Sequence, residues 1–220
     1  MAGVRTASLT NTLSRVSTPT RLVLASASPA RRRTLAAAGI DVDVVVSGVD
    51  ESTVDSSRAD TLCATLARMK AEAVANRLRR QGSGPVLVLG CDSVLSFDGR
   101  ILGKPSGTAD ARERWHRMRG RSGELLTGHC LIRLDDDRHA EEVGTTTVRF
   151  ADVTDAEIEA YLATGEPLQV AGAFTIDGLG GPFVESIVGD PGTVVGVSLP
   201  LLRRLLAELG VPITRLWHSG

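Results

Sequence analysis

The chain has 220 residues, 42% of them hydrophobic and only 3% aromatic. That is enough apolar side chain for one sizeable core, expected to be built from Val, Leu, Ile and Ala, and too few rings for the stacking platforms of single-strand nucleic-acid binders. Lysine and arginine (25) nearly balance aspartate and glutamate (26) for a net charge of −1, which excludes any global attraction to nucleic acid or an anionic membrane, and no apolar run approaches the ~20 residues that span a bilayer.

Residues 1–20 are rich in Ser and Thr and carry no acidic residue, a composition like that of a transit peptide. A disordered tail is expected there, followed by a single domain over 21–220. The apolar run 22–25 reads as a buried strand. Ser28 as N-cap, Pro29 in the first turn and Gly39 as a stop predict a helix over 30–38. The β-branched stretch 42–46 predicts a second strand. Asp60 or Thr61 caps a helix through about Arg80, with Leu62, Leu66, Met69 and Ala73 as its buried stripe. Residues 85–90 form another apolar strand. The stretches 94–97 and 100–102, joined by Asp98-Gly99, carry a strong hairpin signal. Thr108 opens a helix with Ala111, Trp115 and Met118 inward, closed by Gly120. Residues 124–134 and 142–151 form a strand pair, and Thr154-Asp155-Ala156-Glu157 is a capping box for a helix to about Thr164. Residues 165–197 are glycine-rich without helical periodicity. Ser198 caps a final helix over 199–209, stopped by Gly210. Strands alternating with helices, plus hairpins, indicate a mixed-sheet α/β fold.

Three cysteines, Cys63, Cys91 and Cys130, form no C-x-x-C pair, which fits a reducing cytoplasm. His116, His129, His139 and His218 lack zinc-ligand spacing and read as packed or solvated. The informative chemistry begins at Ser26. A strand running straight into a helix start aims unpaired N–H groups at an anion, and Ser26, Ser28, Arg31, Arg32 and Arg33 surround that point. A phosphate suits it, as does an ordinary capped helix with a solvated basic face; the spacing is not that of a Walker A loop. Asp50-Glu51 follows Gly48 and offers oxygen ligands to a hard cation, or solvated loop charge. Lys70, beside Met69, falls at the edge of the apolar stripe and reads equally as a snorkelling lysine. Asp92 follows the apolar strand 85–90, where open α/β sheets place ligands, and an acid there is costly unless paired or on a metal. A strict two-residue turn pairs Phe97 with Arg100 and hence Ser93 with Lys104; a bulge at Gly103 would bring Lys104 and Asp92 to one face. Cations for a polyphosphate, carboxylates for a metal, and no nucleophile elbow together match metal-activated attack of water on a phosphoanhydride.

Several short motifs, in order, carry a resemblance: Ser26-Ala27-Ser28-Pro29-Ala30-Arg31-Arg32, Asp50-Glu51, Leu66-Ala67-Arg68-Met69-Lys70-Ala71, Gly90-Cys91-Asp92-Ser93, Ile101-Leu102-Gly103-Lys104-Pro105, Gly165-Glu166-Pro167 with Ala171-Gly172-Ala173-Phe174, and Gly189 with Val194-Val195-Gly196 and Leu199-Pro200-Leu201. Over about residues 21–210 the chain resembles the Maf family. The resemblance implies an elongated mixed sheet flanked by helices, two lobes around a central cleft, similar to inosine triphosphate pyrophosphatase, often as a homodimer. It implies hydrolysis of nucleoside triphosphates between the α- and β-phosphates with Mg²⁺ or Mn²⁺, a house-cleaning role toward modified nucleotides, and a cytoplasmic place. The small-molecule triphosphate is then the expected partner, rather than nucleic acid or membrane. Asp92 matches the general base, Glu51 with Asp92 the metal side, and Arg31, Lys70 and Lys104, with Ser26, Ser28 and Arg32 at the helix start, the phosphate contacts. The alternative implied is a nucleotide-binding regulator of septum formation. One branch, selective for thymidine and uridine triphosphates, has Arg, Thr and Gln where this chain has Ala30, Ser93 and Asp177. A second, linked to methylated guanosine triphosphate, has Trp, Gln and Glu. The chain matches neither, and Gln169-Val170 replaces the usual Asp-Lys.

Overall fold

Three β-rich runs of 12 residues each set the long axis of the sheet: β3 (Val86–Phe97), β5 (Ser122–Arg133) and β6 (His139–Phe150), each about 40 Å long at ~3.3 Å per residue. The structure, a computed structural model, describes residues 21–217; the expected tail over 1–20, and His218, lie outside them. The remaining strands are β1 (Arg21–Leu24), β2 (Val42–Val44), β4 (Arg100–Leu102) and β7 (Val184–Val188). The helices are α1 (Pro29–Ala37), α2 (Ala59–Arg80), α3 (Thr108–Met118), α4 (Asp155–Ala163), α5 (Pro191–Val195) and α6 (Leu199–Glu208). The seven strands form one sheet in the order β2-β1-β3-β5-β6-β7, with β4 beside the far half of β3. β1 pairs in parallel with both β2 and β3, and all other pairs are antiparallel. This is the mixed-sheet α/β fold expected.

The local signals hold. Ser28 accepts from the Arg31 N–H, Ser198 from the Leu201 N–H, and Thr154 and Glu157 form the reciprocal capping box. Asp98 and Gly99 both take positive φ (53° and 72°), and Phe97 opposes Arg100, the two-residue hairpin whose primed turn matches strand twist.

Each end of the long strands has its own core. At the near end Leu22, Leu24, Leu35, Leu89, Leu202 and Leu205 pack on one face of the sheet, and Val23, Val88, Ala67, Ala71 and Val74 on the other. At the far end Trp115 meets Phe150, Tyr161 and Phe183 edge-on, at centroid distances of 5.8, 5.7 and 5.9 Å. All the aromatics but Trp217, which is exposed beside Ile40, are gathered here, so the aliphatic core expected from composition describes only the near end.

Helix α2 departs from the expected stripe. Its buried residues are Cys63, Leu66, Ala67, Lys70, Ala71, Val74, Ala75 and Leu78, while Leu62, Met69 and Ala73 are half-buried. The cause lies in the sheet. A Cβ on Gly90 would stand 2.2 Å from the Ala67 carbonyl oxygen, and one on Gly128 2.3 Å from that of Cys63. The helix rests on glycine, so its contact face is the small-residue face and not the large-residue one. Lys70 is thereby carried into the interface. The helix also begins earlier than expected, with Arg58 at the N-cap and Asp60 in the first turn.

Two further differences follow from the same physics. The strand expected to stop at residue 90 runs on to Phe97, because Gly90 serves close approach rather than a break. Within 165–197 hides β7, antiparallel to β6 with a register shift at Arg149/Phe150 that skips Glu185; in this short edge strand Val184, Ile187 and Val188 do not alternate with polar residues, so the period-two signature of a strand is missing.

His129 is 1% exposed. Its Nε2 accepts from the Ser198 N–H (2.9 Å), which leaves the proton on Nδ1 to be donated to the Thr127 carbonyl (3.0 Å). Burial, with Arg31 nearby, pulls its pKa down to about 4. It is the packed histidine expected.

Gly90→Ala should push α2 off the sheet, at about 1–3 kcal/mol for overpacking, read as a lower denaturation midpoint at unchanged m-value. His129 is neutral when folded, whereas the unfolded chain takes up a proton below its ordinary pKa of 6.5. Stability should therefore fall as pH drops from 6.5 toward about 4, by up to ~1.4 kcal/mol per pH unit from this group; chemical denaturation of His129→Gln over that window should show a flatter slope.

Candidate active site

The site is a notch in the sheet. Pairing of β1 with β3 ends at Leu24↔Leu89, and pairing of β4 with β3 begins at Leu102↔Leu95. Over residues 90–94, β3 therefore has a neighbour, β5, on one side only. The chain leaves β1 at the edge of this notch and turns through Ser26 and Ser28, whose Oγ accepts from the Arg31 N–H at 3.4 Å, into α1. A helix start beside a strand end is the crevice where open sheets bind ligands.

Asp92 lies in the middle of β3, not beyond its end. Side chains alternate along a strand, so Asp92 faces α2 while Cys91 and Ser93 face α1 and α6. On the α2 side, the Lys70 Nζ hydrogen-bonds Asp92 Oδ1 and also pairs with Glu51 Oε1 at 2.7 Å. Lys70 is 8% and Asp92 7% exposed, a degree of burial that ionised groups tolerate only when paired. Burial pushes the Asp92 carboxyl up from its ordinary value, by more than Lys70 and Arg31 pull it back. Glu51 is exposed and opens a short turn whose N-cap, Asp50, accepts from the Ser52 N–H (3.1 Å) and hydroxyl (2.7 Å).

On the opposite face Arg31 is 9% exposed. Its Nε donates to the Gly196 carbonyl (2.8 Å), its Nη1 to Ser26 Oγ and the Cys91 carbonyl (2.9 Å each), and its Nη2 to Ser93 Oγ (3.1 Å). Thr127 donates its hydroxyl proton to the Thr193 carbonyl (2.7 Å), so Ser93 is the donor in the 2.8 Å Ser93–Thr127 contact. Of the five guanidinium N–H groups, one on Nη2 is left over. Arg31 thus ties α1, β3 and the end of α5 together at the notch.

The other expected site residues lie outside these two networks. Arg32 is exposed, and Arg33 reaches Asp177 Oδ2 at 3.4 Å. Ala30 is half-buried on α1. Lys104 is exposed beyond β4, whose pairing ends at Leu95↔Leu102 and reaches neither the Ser93–Lys104 register nor a bulge at Gly103; the Gly103 carbonyl is instead held by Arg114 (2.7 Å) and the Gly172 N–H (3.1 Å). An open hollow of about 350 Å³ lies against the start of α1, lined by Ser28, Arg32, Arg33 and Val44 among others. Sequence reasoning missed Thr127, Thr193 and Gly196. The available signals were Gly144 and Gly196, where a Cβ would stand 2.8 Å from Thr193 Oγ1 and 2.9 Å from Arg31 Nε, since a glycine in such a place marks a close approach.

Among the described residues no group of three or more His, Cys, Asp or Glu side chains could hold a metal. Glu51 and Asp92, which share one ammonium, are the carboxylates near the notch. Mg²⁺ takes one or two carboxylates when substrate phosphates complete its shell, so this donor set fits such an ion.

A family model described as Maf-like protein matches residues 21–209. Three relatives named nucleoside triphosphate pyrophosphatase are similar over nearly their whole length. That of Salinispora tropica is 69% identical over 204 residues, covering 93% of this chain and 90% of its own. That of Streptomyces avermitilis is 53% identical over 197 residues (90% and 94%), and that of a Cyanothece species 53% over 197 residues (90% and 99%). The motifs, the mixed sheet with its notch and these matches agree: the chain belongs to the Maf-like protein family.

Proposed function

We propose that this protein is a nucleoside triphosphate pyrophosphatase, cutting between the α- and β-phosphates to release a nucleoside monophosphate and pyrophosphate. The observation that carries the reading is the buried Lys70 joining Glu51 and Asp92 at an open strand edge beside a helix start. The names and the coverage of the relatives agree with it. Cleavage needs an oriented water, a base to take its proton, and cations against the charge of the leaving pyrophosphate.

Asp92 is the base. Its raised carboxyl is a better proton acceptor than an ordinary aspartate, and Lys70 fixes its orientation. Ser26, Ser28 and the positive end of the α1 dipole, with Arg32 at the exposed rim, receive the phosphate tail. Arg31 keeps that helix start in register with β3 and has one N–H to offer. Lys70, buried and paired with two carboxylates, and Lys104, exposed at the rim, complete the cationic wall. Glu51 and Asp92 would hold Mg²⁺ or Mn²⁺, which neutralises phosphate charge when bound. A cytoplasmic place agrees with three free, buried cysteines, and no helix among the described residues is long and apolar enough to cross a membrane.

Asp92→Asn should lose at least about 100-fold in pyrophosphate release, the size of a general-base contribution, while keeping its circular dichroism spectrum, because Glu51 remains as partner to Lys70. Full activity in that variant would remove Asp92 from the reaction. Inorganic phosphate and a nucleoside diphosphate as products would point to a different phosphatase, and tight triphosphate binding without turnover to a regulator. Chelation should stop pyrophosphate release by the wild type, and added Mg²⁺ or Mn²⁺ should restore it.

A further inference from the structure

Lys104 lies in neither helix nor strand, and residues 103–107 have no regular secondary structure. The hairpin still carries this segment to the notch. Leu102 opposes Leu95, so the chain beyond it runs on toward the stretch 90–94, where β3 lacks a neighbour on that side. A lysine on a slack loop makes a poor anion contact, because backbone and side chain must both be ordered on binding. This loop is held. Asp110 Oδ1 accepts from Arg114 Nε (2.8 Å) and Oδ2 from Nη2 (2.7 Å), the two-pronged pairing of guanidinium and carboxylate. The third nitrogen, Arg114 Nη1, donates to the Gly103 carbonyl at 2.7 Å. Asp110 Oδ2 also accepts from the Ser106 N–H (2.8 Å) and hydroxyl (3.2 Å).

One half-buried ion pair on α3 thus grips the loop at both ends, Gly103 and Ser106. Between them Pro105 is buried and Lys104 is exposed, so the backbone is pinned on either side of the lysine and its side chain is left outward. Asp110 alone would serve the start of α3, whose N-cap, Gly107, has no side chain to cap with. Arg114 goes beyond that service, because a helix start needs nothing from the Gly103 carbonyl, which lies outside the helix. A planar guanidinium can make the fork and the third bond together because its N–H groups point in fixed directions. The bonds from Arg114 hold the Asp110 carboxyl below its ordinary value, which keeps the clamp ionised.

We propose that Arg114 and Asp110 are positioning residues for substrate binding: together they clamp the 103–106 loop at both ends and so present Lys104 to the phosphate tail. This rests on the pyrophosphatase reading and deepens it. The pair touches no phosphate, so its loss acts through Lys104. It weakens the hold on every triphosphate alike, whatever the base, and leaves the chemical step at Asp92 intact.

The test is steady-state kinetics with pyrophosphate detection on wild type, Lys104→Met, Arg114→Met, Asp110→Asn and the double variant Arg114→Met/Lys104→Met. Lys104→Met should raise KM about tenfold, the scale of one lost charge-assisted hydrogen bond. Its kcat should stay within about threefold of wild type, the mark of binding lost equally from ground and transition states. Arg114→Met should raise KM by at least about threefold on the same terms, and by less than about twofold once Lys104 is already methionine, since both changes act through one side chain. A KM unchanged in Lys104→Met, effects of the two changes that simply multiply, or a fall in kcat at unchanged KM in Arg114→Met would each overturn the proposal. If Arg114→Met does not fold, Asp110→Asn, alone and combined with Lys104→Met, is held to the same outcomes. A wild-type protein that turns over no triphosphate would instead overturn the pyrophosphatase reading, and the proposal with it.

Discussion

A lysine ammonium buried against an aspartate in mid-sheet is the contact around which the rest of this molecule is arranged. Taking two such ions out of water costs several kcal/mol each after relaxation, and an apolar pair of the same volume would serve stability as well or better. Their retention therefore points to chemistry rather than to folding. The fold makes room for them by removing side chains elsewhere: Gly90 and Gly128 let α2 lie on the sheet, and the alanines of α2 complete the close fit. Lys70 then has nowhere to go but the notch, where β3 lacks a neighbour and water or a ligand can approach.

Alternation along β3 gives the notch two different faces. Asp92 turns toward α2 and its lysine, while Ser93 turns toward α1 and Arg31. The second face is a directed chain of hydrogen bonds, from Arg31 to Ser93 to Thr127 to the Thr193 carbonyl. Each member has one role fixed by its neighbour, so the arrangement resists rotation of any one hydroxyl. This face supplies rigidity, since it locks α1, β3, β5 and α5 together behind Asp92. The first face stays accessible through exposed Glu51. Division of labour between consecutive residues of one strand keeps the reactive group supported without being enclosed.

Legibility in the sequence followed the range of the interactions. The caps at Ser28, Thr154 and Ser198, the Asp98-Gly99 turn and the Ala111-Trp115-Met118 stripe depend on neighbours within a few residues, and all were readable. The burial of Lys70 was not, because it depends on glycines 20 and more residues away that admit the small face of a helix; size-ranked hydrophobicity selects Leu62 and Met69 instead. Asp92 was recognised as costly and was misplaced at a strand end, since a polar residue after a glycine mimics a boundary. The exposed position of Lys104 turned on whether a bulge would form, which turn chemistry does not decide. β7 is not legible because its irregular register breaks the alternation of Val184, Ile187 and Val188 with polar residues.

The charge distribution gives these pieces a common sense. With a net charge of −1, the chain exerts no long-range pull on an anion, so binding must come from local fields. Two carboxylates share the Lys70 ammonium, and this leaves an excess of one negative charge on the α2 side of β3. The helix start of α1, with Arg32 exposed and the Arg31 guanidinium behind it, is positive on the other. A free phosphate meets attraction from one half and repulsion from the other, and so does a lone divalent cation. A polyphosphate carrying its own metal ion satisfies both halves at once. On the proposed function, a notch with two such sides would suit a charge-paired ligand, a triphosphate carrying its metal ion, and neither side would need to bind strongly alone.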